Sequence, residues 1–115
     1  MTPEAGFPVQ MIEGVPVVAT PEEIDITNAD QLRTALAEAA RHAQGTFVVD
    51  MTKTRFCDTA GLHALVAAYK RSQTEGGQVL LVMPGSGVLR IFAITGLDSV
   101  IPNVASLEEA LAQTR

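Results

Sequence analysis

Apolar residues follow two different spacings along this chain, and the two alternate. Two continuous apolar runs, Thr46–Asp50 and Val79–Met83, are typical of strands that are buried on both faces of a sheet. Apolar residues at helical spacing occupy a segment that begins at Thr27 or Asn28 and ends near Ala43, and a second one from about Ala60 to Thr74. The pattern therefore predicts strands that alternate with helices.

The start of the chain predicts a hairpin. Val9–Ile12 and Val15–Ala19 are two short apolar runs, and Gly14 between them supplies the turn. Pro16 cannot donate a hydrogen bond to a neighbouring strand, so we expect one edge of its strand to be open at that point. Pro21–Ile26 is expected to be a loop.

The second half of the chain predicts further elements of the same kind. A loop over Met51–Cys57 and a turn and helix cap at Gly85-Ser86-Gly87 separate them. We expect a third helix through Val88, Leu89, Phe92 and Ala93 that ends at Gly96, a last strand at Val100-Ile101 that ends at Pro102, and a helix that starts at the capping-box pattern Ser106–Glu109. The resulting order, ββαβαβαβα, predicts an α/β layer structure with a mostly parallel sheet.

Composition narrows the class of protein. With 115 residues, 47 % of them hydrophobic, only four Phe, one Tyr and no Trp, we expect one domain with an aliphatic core. The net charge is −5 and the longest basic run is Lys70-Arg71, which argues against nucleic-acid binding. A single cysteine, Cys57, excludes an internal disulfide and a multi-cysteine zinc site. No leader pattern opens the chain and no apolar stretch approaches 18 residues, so we expect a cytoplasmic protein.

The most informative segment is Asp58-Thr59-Ala60-Gly61-Leu62, which lies between a loop and a predicted helix. A hydroxyl beside an acid at the start of a helix is a natural place for a phosphate, because unpaired N–H groups and the helix dipole favour negative charge there. The segment indicates a switch more than a catalyst. The other interpretation of Thr59 is an ordinary N-cap residue, which spacing alone favours and which is compatible with phosphorylation.

Several segments together resemble the STAS domain family, named for sulfate transporter and anti-sigma factor antagonist. We expect residues 1–115 to form one domain, and the resemblance covers about residues 8 to 113 of it. No single segment is decisive, and the resemblance rests on the ordered set of segments. The segments are Glu23-Ile24-Asp25, Val48-Val49-Asp50, Asp58-Thr59-Ala60-Gly61-Leu62, Gly96-Leu97-Asp98 and Ser106-Leu107-Glu108-Glu109-Ala110-Leu111. The implied fold is a mixed, mostly parallel sheet of four to five strands with about four helices.

The chain is most similar to the bacterial anti-sigma factor antagonists of that family, which implies a binding protein and not an enzyme. The resemblance implies a partner that is an anti-sigma factor, usually a GHKL-type serine/threonine kinase, whose capture frees a sigma factor. The kinase would end the interaction by phosphorylating Thr59, and a phosphatase would reverse it. No cofactor or metal is implied. The family commonly has Ser at the acceptor and often Ser or Thr next to it, whereas this chain has Thr59 and Ala60.

The remaining residues of the predicted partner-binding site also have a structural interpretation. Asp25 and Asp58 could frame the acceptor, or could be an Asx-turn residue and a helix-start acid. Gly61 lets either a partner or a neighbouring strand come close, and packing is the stronger interpretation. Leu62 could contact a partner but fits the core better.

Three other functions are alternatives to this one, and the least favoured is an enzyme on a flavodoxin-like pattern, because the glycine loop and the base of such an enzyme are missing. A stressosome-type or other signalling scaffold and the soluble subunit of a lipid-transporting ABC system would use the same fold. Cys57 with His63 raises the idea of a nucleophile and its base, but cysteine catalysis needs a base within hydrogen-bond reach and a third, orienting group. We expect His63 on a helix surface and Cys57 to be a small buried residue.

Overall fold

The structure, a computed structural model, describes residues 7–85 and 87–114, and a five-stranded sheet forms its centre. The seven strands of the described part are β1 (Val9–Ile12), β2 (Val15–Ala19), β3 (Glu23–Ile24), β4 (Thr46–Asp50), β5 (Phe56–Cys57), β6 (Gln78–Val82) and β7 (Asn103–Val104). The helices are α1 (Ala29–His42), α2 (Thr59–Thr74), α3 (Gly87–Thr95) and α4 (Leu107–Thr114), and a short 3₁₀ helix spans Leu97–Ser99. The predicted fold class is confirmed.

The large sheet has the strand order β1-β2-β4-β6-β7 and is parallel except for the β1–β2 hairpin. Glu13 and Gly14 form the hairpin turn with positive φ angles of 54° and 81°, the combination that matches the twist of the two strands. Pro16 pairs with Met11 of β1, and pairing with β4 begins only at Val17. The strand edge next to Pro16 is therefore open on the β4 side, as predicted.

Helices cover both faces of the sheet, which explains the continuous apolar strands. On one face, α1, α2 and α3 enclose the larger core, which includes Val18, Val49, Leu81, Leu65 and Phe92. On the other face, Ala110 and Leu111 of α4 join strand side chains in a smaller buried cluster, and the partly buried Leu107 packs against it. That cluster consists of Val15, Val17, Val48, Leu80, Val82, Val104, Ala110 and Leu111. As expected, aliphatic side chains form most of both clusters.

The predicted element order misses two short strands. β3 lies in the segment that was expected to be the Pro21–Ile26 loop, and β5 lies in the expected Met51–Cys57 loop. The two pair with each other in parallel and form a separate two-stranded sheet. Each has only two residues, which is too short for a period of apolar residues to show.

The predicted last strand at Val100-Ile101 is also wrong. The N–H groups of both residues donate to the carbonyl oxygen of Leu97, at 3.0 and 2.9 Å, so they close the 3₁₀ helix. Ile101 is buried as a core residue of this turn, and the strand begins after Pro102, which has no N–H to donate. The predicted helix start at Ser106 is confirmed, since Ser106 Oγ accepts from the Glu109 N–H at 3.1 Å, but the reciprocal bond of a full capping box is not formed between these two described residues. The predicted turn and cap at 85–87 involves Ser86, which lies outside the described residues.

Candidate functional site

The small β3–β5 sheet positions the segment that the sequence singled out. Ile24 pairs with Cys57, and the N–H of Asp58 donates to the carbonyl oxygen of Ile24 at 3.0 Å. Parallel strands end at the same edge, so Asp25 and Asp58, which follow the two paired residues, lie beside each other. Thr59 comes next as the first residue of α2. The structure thus places Asp25 and Asp58 at the same end of this small sheet, and Thr59 directly after Asp58.

Asp58 is the N-cap of α2. Its backbone is extended, and its Oδ1 atom accepts from the N–H groups of Ala60 at 2.9 Å and Gly61 at 3.2 Å. Its carbonyl oxygen accepts from the Leu62 N–H at 3.0 Å. The interpretation of Asp58 as a helix-start acid is confirmed, and the N-cap interpretation of Thr59 is wrong by one residue. The aspartate reaches the first-turn N–H groups, so the threonine hydroxyl is not needed there.

The Thr59 side chain is exposed and its hydroxyl makes no hydrogen bond with any residue that the structure describes. The hydroxyl therefore faces solvent, where another protein can reach it. It also lies next to the carboxylate of Asp58. Any negative charge added to Thr59 would be placed beside an existing one.

Asp25 is held in an Asx turn. Its Oδ1 atom accepts from the backbone N–H of Thr27 at 2.9 Å and from the Thr27 hydroxyl. These hydrogen bonds, the one from the hydroxyl first, lower the pKa of the Asp25 carboxyl below its usual value, so it is ionised at neutral pH. Asn28 fixes the same turn by accepting from the Asp25 N–H and donating to the carbonyl oxygen of Glu23, both at 2.9 Å.

Gly61 and Leu62 lie below this surface. A Cβ atom on Gly61 would lie 2.6 Å from both Cys57 Sγ and Ile24 Cγ2, so the glycine lets α2 pack against β3 and β5. Leu62 is 9 % exposed and belongs to the larger core. The packing interpretations of both residues fit this arrangement. Ala60 is only partly exposed.

Sequence reasoning missed two apolar residues of the site. Ile26, directly after Asp25, is 80 % exposed, and Phe56, directly before Cys57, is 47 % exposed. An isolated large apolar residue in a polar loop was the available signal, but a spacing analysis does not detect it. We call Asp25, Ile26, Phe56, Asp58 and Thr59 the Thr59 surface. It combines two acids, a free hydroxyl and two exposed apolar side chains, and exposed apolar area is typical of protein-binding surfaces.

The structure does not support a cysteine nucleophile. Cys57 is 2 % exposed, and burial, followed by the nearby negative charge of Asp58, raises the pKa of its thiol to about 12. The thiol is therefore protonated at neutral pH, whereas a nucleophilic cysteine must be a thiolate. His63 is exposed on α2. Within the described ranges, no group of three or more His, Cys, Asp and Glu residues could hold a metal ion.

A groove of about 260 Å³ lies between α1 and α2, toward their C-terminal ends and away from Thr59. Alanine is the commonest residue of its walls, and two arginines and Glu75 also line it. Both arginines are paired on their own helices, Arg33 with Asp30 at 2.7 Å and Arg71 with Glu75 at 3.5 Å. The groove therefore offers no free charge to a ligand. No helix of the part that the structure describes has the length and apolar character to cross a membrane.

Known proteins resemble this chain along most of its length. The anti-sigma-B factor antagonist of Listeria monocytogenes is 30 % identical over 80 residues, which are 69 % of each chain. The crystal structure of an anti-sigma factor antagonist from Mycobacterium paratuberculosis superposes with a TM-score of 0.83 at 30 % identity, over 93 % of this chain and 91 % of that one.

The Bacillus cell fate determinant SpoIIAA in its phosphorylated form shares the fold, with a TM-score of 0.71 at 21 % identity over 96 % of this chain and all of that one. The model of the STAS domain matches residues 7–110, which are most of the sequence. The residues that suggested the family lie within or next to this match. The chain therefore belongs to the STAS domain family.

Proposed function

We propose that this protein is an anti-sigma factor antagonist that is not itself an enzyme and that acts in the cytoplasm. It binds an anti-sigma factor, a GHKL-type serine/threonine kinase, through the Thr59 surface and so releases a sigma factor. The names of the Listeria and Mycobacterium relatives support this function. The observation that carries it is the free, exposed hydroxyl of Thr59 at the start of α2, directly after Asp58 and at the end of the small sheet where Asp25 also lies.

In the proposed complex, the unmodified Thr59 is small and neutral and packs within the interface. Ile26 and Phe56 supply apolar contact area, and the acids Asp25 and Asp58 pair with cations of the partner. Ala60 borders this contact. Gly61 and Leu62 contribute by holding α2 against the β3–β5 sheet.

The proposed switch is a phosphoryl transfer. The kinase moves the γ-phosphoryl group of ATP to Thr59 Oγ1, the bond to the leaving ADP breaks, and the hydroxyl proton is released. A phosphatase restores the hydroxyl by adding water across the new bond. The phosphate brings roughly −1.5 to −2 charges and three strong acceptors to a surface that already carries two carboxylates. The partner would have to desolvate this charge, and each loss of about 1.4 kcal/mol weakens binding tenfold.

The test uses baits that carry wild-type Thr59, Thr59→Ala or Thr59→Glu, with partners and phosphorylation sites identified by mass spectrometry. We expect wild type and Thr59→Ala to retain a kinase of the anti-sigma class that Thr59→Glu loses, and the phosphate to map to Thr59. Thr74→Glu is the matched control, because it adds the same charge at the far, exposed end of the same helix.

Two outcomes would contradict the proposal. If the retained proteins are the same for all baits and Thr59 is unmodified, the Thr59 surface is not a phosphorylation switch. If the chain instead elutes within a large multi-subunit particle, or with a membrane ATPase, the scaffold or the transport function takes its place. A loss of binding in Thr74→Glu equal to that in Thr59→Glu would show a general effect of charge.

A further inference from the structure

His63 lies one helical turn after Thr59 on the exposed surface of α2. Residues four apart on a helix are neighbours on one face, with Cβ atoms about 5–6 Å apart. Helical side chains also lean toward the N-terminus, the direction in which Thr59 lies from His63. Its ring has no hydrogen-bond or ion-pair partner among residues 7–85 and 87–114. The proposed function gives this histidine no role.

The start of α2 has little left to offer a phosphate. The N–H groups of Ala60 and Gly61 already donate to Asp58 Oδ1, and that of Leu62 donates to the Asp58 carbonyl oxygen. A helix N-terminus binds anions through such N–H groups, and here a carboxylate of the chain occupies them. Among the first-turn N–H groups only that of Thr59 itself has no acceptor in the described part of the chain, so most of the counter-charge for a phosphate has to come from a side chain.

Among the charged residues near Thr59, His63 is the candidate for binding a phosphate, because it lies on the same face of α2 as Thr59. On the β3 side lie Glu22, Glu23 and the ionised Asp25, all negative, and on α2 itself lies Asp58. The nearest charged residues of α1, Asp30 and Arg33, pair with each other. Lys53 and Arg55 are exposed in the loop before β5 and Arg90 is exposed on α3. Lys70 and Arg71 lie at the far end of α2, and Arg41 and His42 lie at the end of α1.

We propose that His63 binds the phosphate on Thr59, as the cationic member of an i, i+4 pair whose anionic member is created by phosphorylation. An acid that precedes a base by four residues is the favoured order for such a pair. The histidine thereby stabilises the phosphorylated, partner-releasing form. This inference rests on the proposed function for its biological meaning, but its chemistry can be tested without any kinase.

The test places phosphothreonine at position 59 of the full chain by genetic code expansion and follows the phosphate by ³¹P NMR from pH 4.5 to 8. A nearby cation favours the dianion, so we expect the phosphate pKa to be higher in His63→Gln than in wild type by about 0.2–0.4. His63→Lys should retain the wild-type value. His42→Gln is the matched control, because His42 is also exposed and ends α1 instead of sharing a helix face with Thr59.

A second readout guards against a variant that fails to fold. At one fixed pH, phosphorylation of Thr59 should shift the ring signals of His63 and leave those of His42 unchanged. The proposal is overturned if the phosphate pKa is the same in wild type and His63→Gln, or if His42→Gln moves it as much. Such a result would not contradict the proposed regulation by a kinase at Thr59. In the same way, a failure of the bait experiment would not contradict the proposed pairing of His63 with the phosphate.

Discussion

Replacement of Gly61 by alanine should show how tightly α2 is fixed to the β3–β5 sheet. The added Cβ would lie 2.6 Å from Cys57 Sγ, 2.6 Å from Ile24 Cγ2 and 3.3 Å from Ile24 Cβ. Both neighbours are buried, at 2 % and 0 % exposure, and sit on paired strands. Neither side chain has free space to move into, so the backbone of α2 must shift.

Two opposing terms set the size of the effect. Overpacking a filled core costs typically about 1–3 kcal/mol. Alanine in place of glycine in a helix returns up to about 1 kcal/mol, and less in the first turn. We therefore expect Gly61→Ala to lower the free energy of unfolding by roughly 1–2 kcal/mol. In a chain of 115 residues this corresponds to a fall in Tm of about 4–8 °C.

The assay is urea unfolding followed by far-UV circular dichroism, which suits a chain without tryptophan. Gly85→Ala is the control, because a Cβ there would meet nothing within 4 Å. We expect the control to be as stable as wild type or slightly more stable. The double variant Gly61→Ala with Ile24→Ala should lose less stability than the sum of the two single variants, because Ile24→Ala removes one of the two clashes. If Gly61→Ala is as stable as wild type, the close packing of α2 on these strands is refuted.

Three further predictions concern side chains around the same site. Asp58→Ala should lower the free energy of unfolding by about 1 kcal/mol through loss of the helix cap, and Asp58→Asn by less, because it keeps an acceptor oxygen; equal losses in urea unfolding would contradict the capping role. Thr54→Val should cost about 1–3 kcal/mol, since it leaves the carbonyl oxygen of Pro21 without its 2.6 Å hydrogen bond, and the exposed Thr52→Val should cost much less. Burial raises the pKa of the Cys57 thiol from 9.0 to about 12, so the thiol ionises more easily in the unfolded chain. The free energy of unfolding should therefore not depend on this thiol below pH 9.0 and should fall as pH rises from there to about 12. Cys57→Ala should not show this fall.

Sequence reasoning located the long elements because their apolar residues repeat. The β4 strand at Thr46–Asp50 was predicted with its bounds, and α2 was predicted within one residue of its start. In each case one face or both faces of a regular element must be buried, and burial leaves a period in the sequence. The β1–β2 hairpin was found because its turn needs positive φ angles that glycine supplies.

The elements that were missed depend on contacts far apart in the chain. β3 and β5 have two residues each and exist only because they pair with each other. The last strand was placed at Val100-Ile101, where apolar residues suggested it, although the burial of Ile101 serves a turn. Apolar character alone does not distinguish a strand from a buried turn.

Only part of the candidate site was predicted, because the rest of it also depends on contacts between distant parts of the chain. The sequence shows Asp58, Thr59 and Gly61 because they lie in one loop-to-helix segment. It shows Asp25 because this residue lies in a recognisable loop. The exposure of Ile26 and Phe56 and the use of Asp58 as the cap depend on how the two loops meet in space. A local pattern cannot report which of two adjacent residues turns its oxygen toward the helix.

The separate β3–β5 sheet has a consequence for the dynamics of the chain. Its strands share no ladder with the five-stranded sheet, and the pair holds the Thr59 segment through a few hydrogen bonds such as Asp58 N–H to Ile24. Units with so few bonds open locally at a fraction of the global unfolding free energy. Amide hydrogen exchange at Phe56 and Asp58 should therefore be much faster than at Val48 and Leu80. The proposed kinase would then act on a segment that opens locally more often than the strands of the five-stranded sheet.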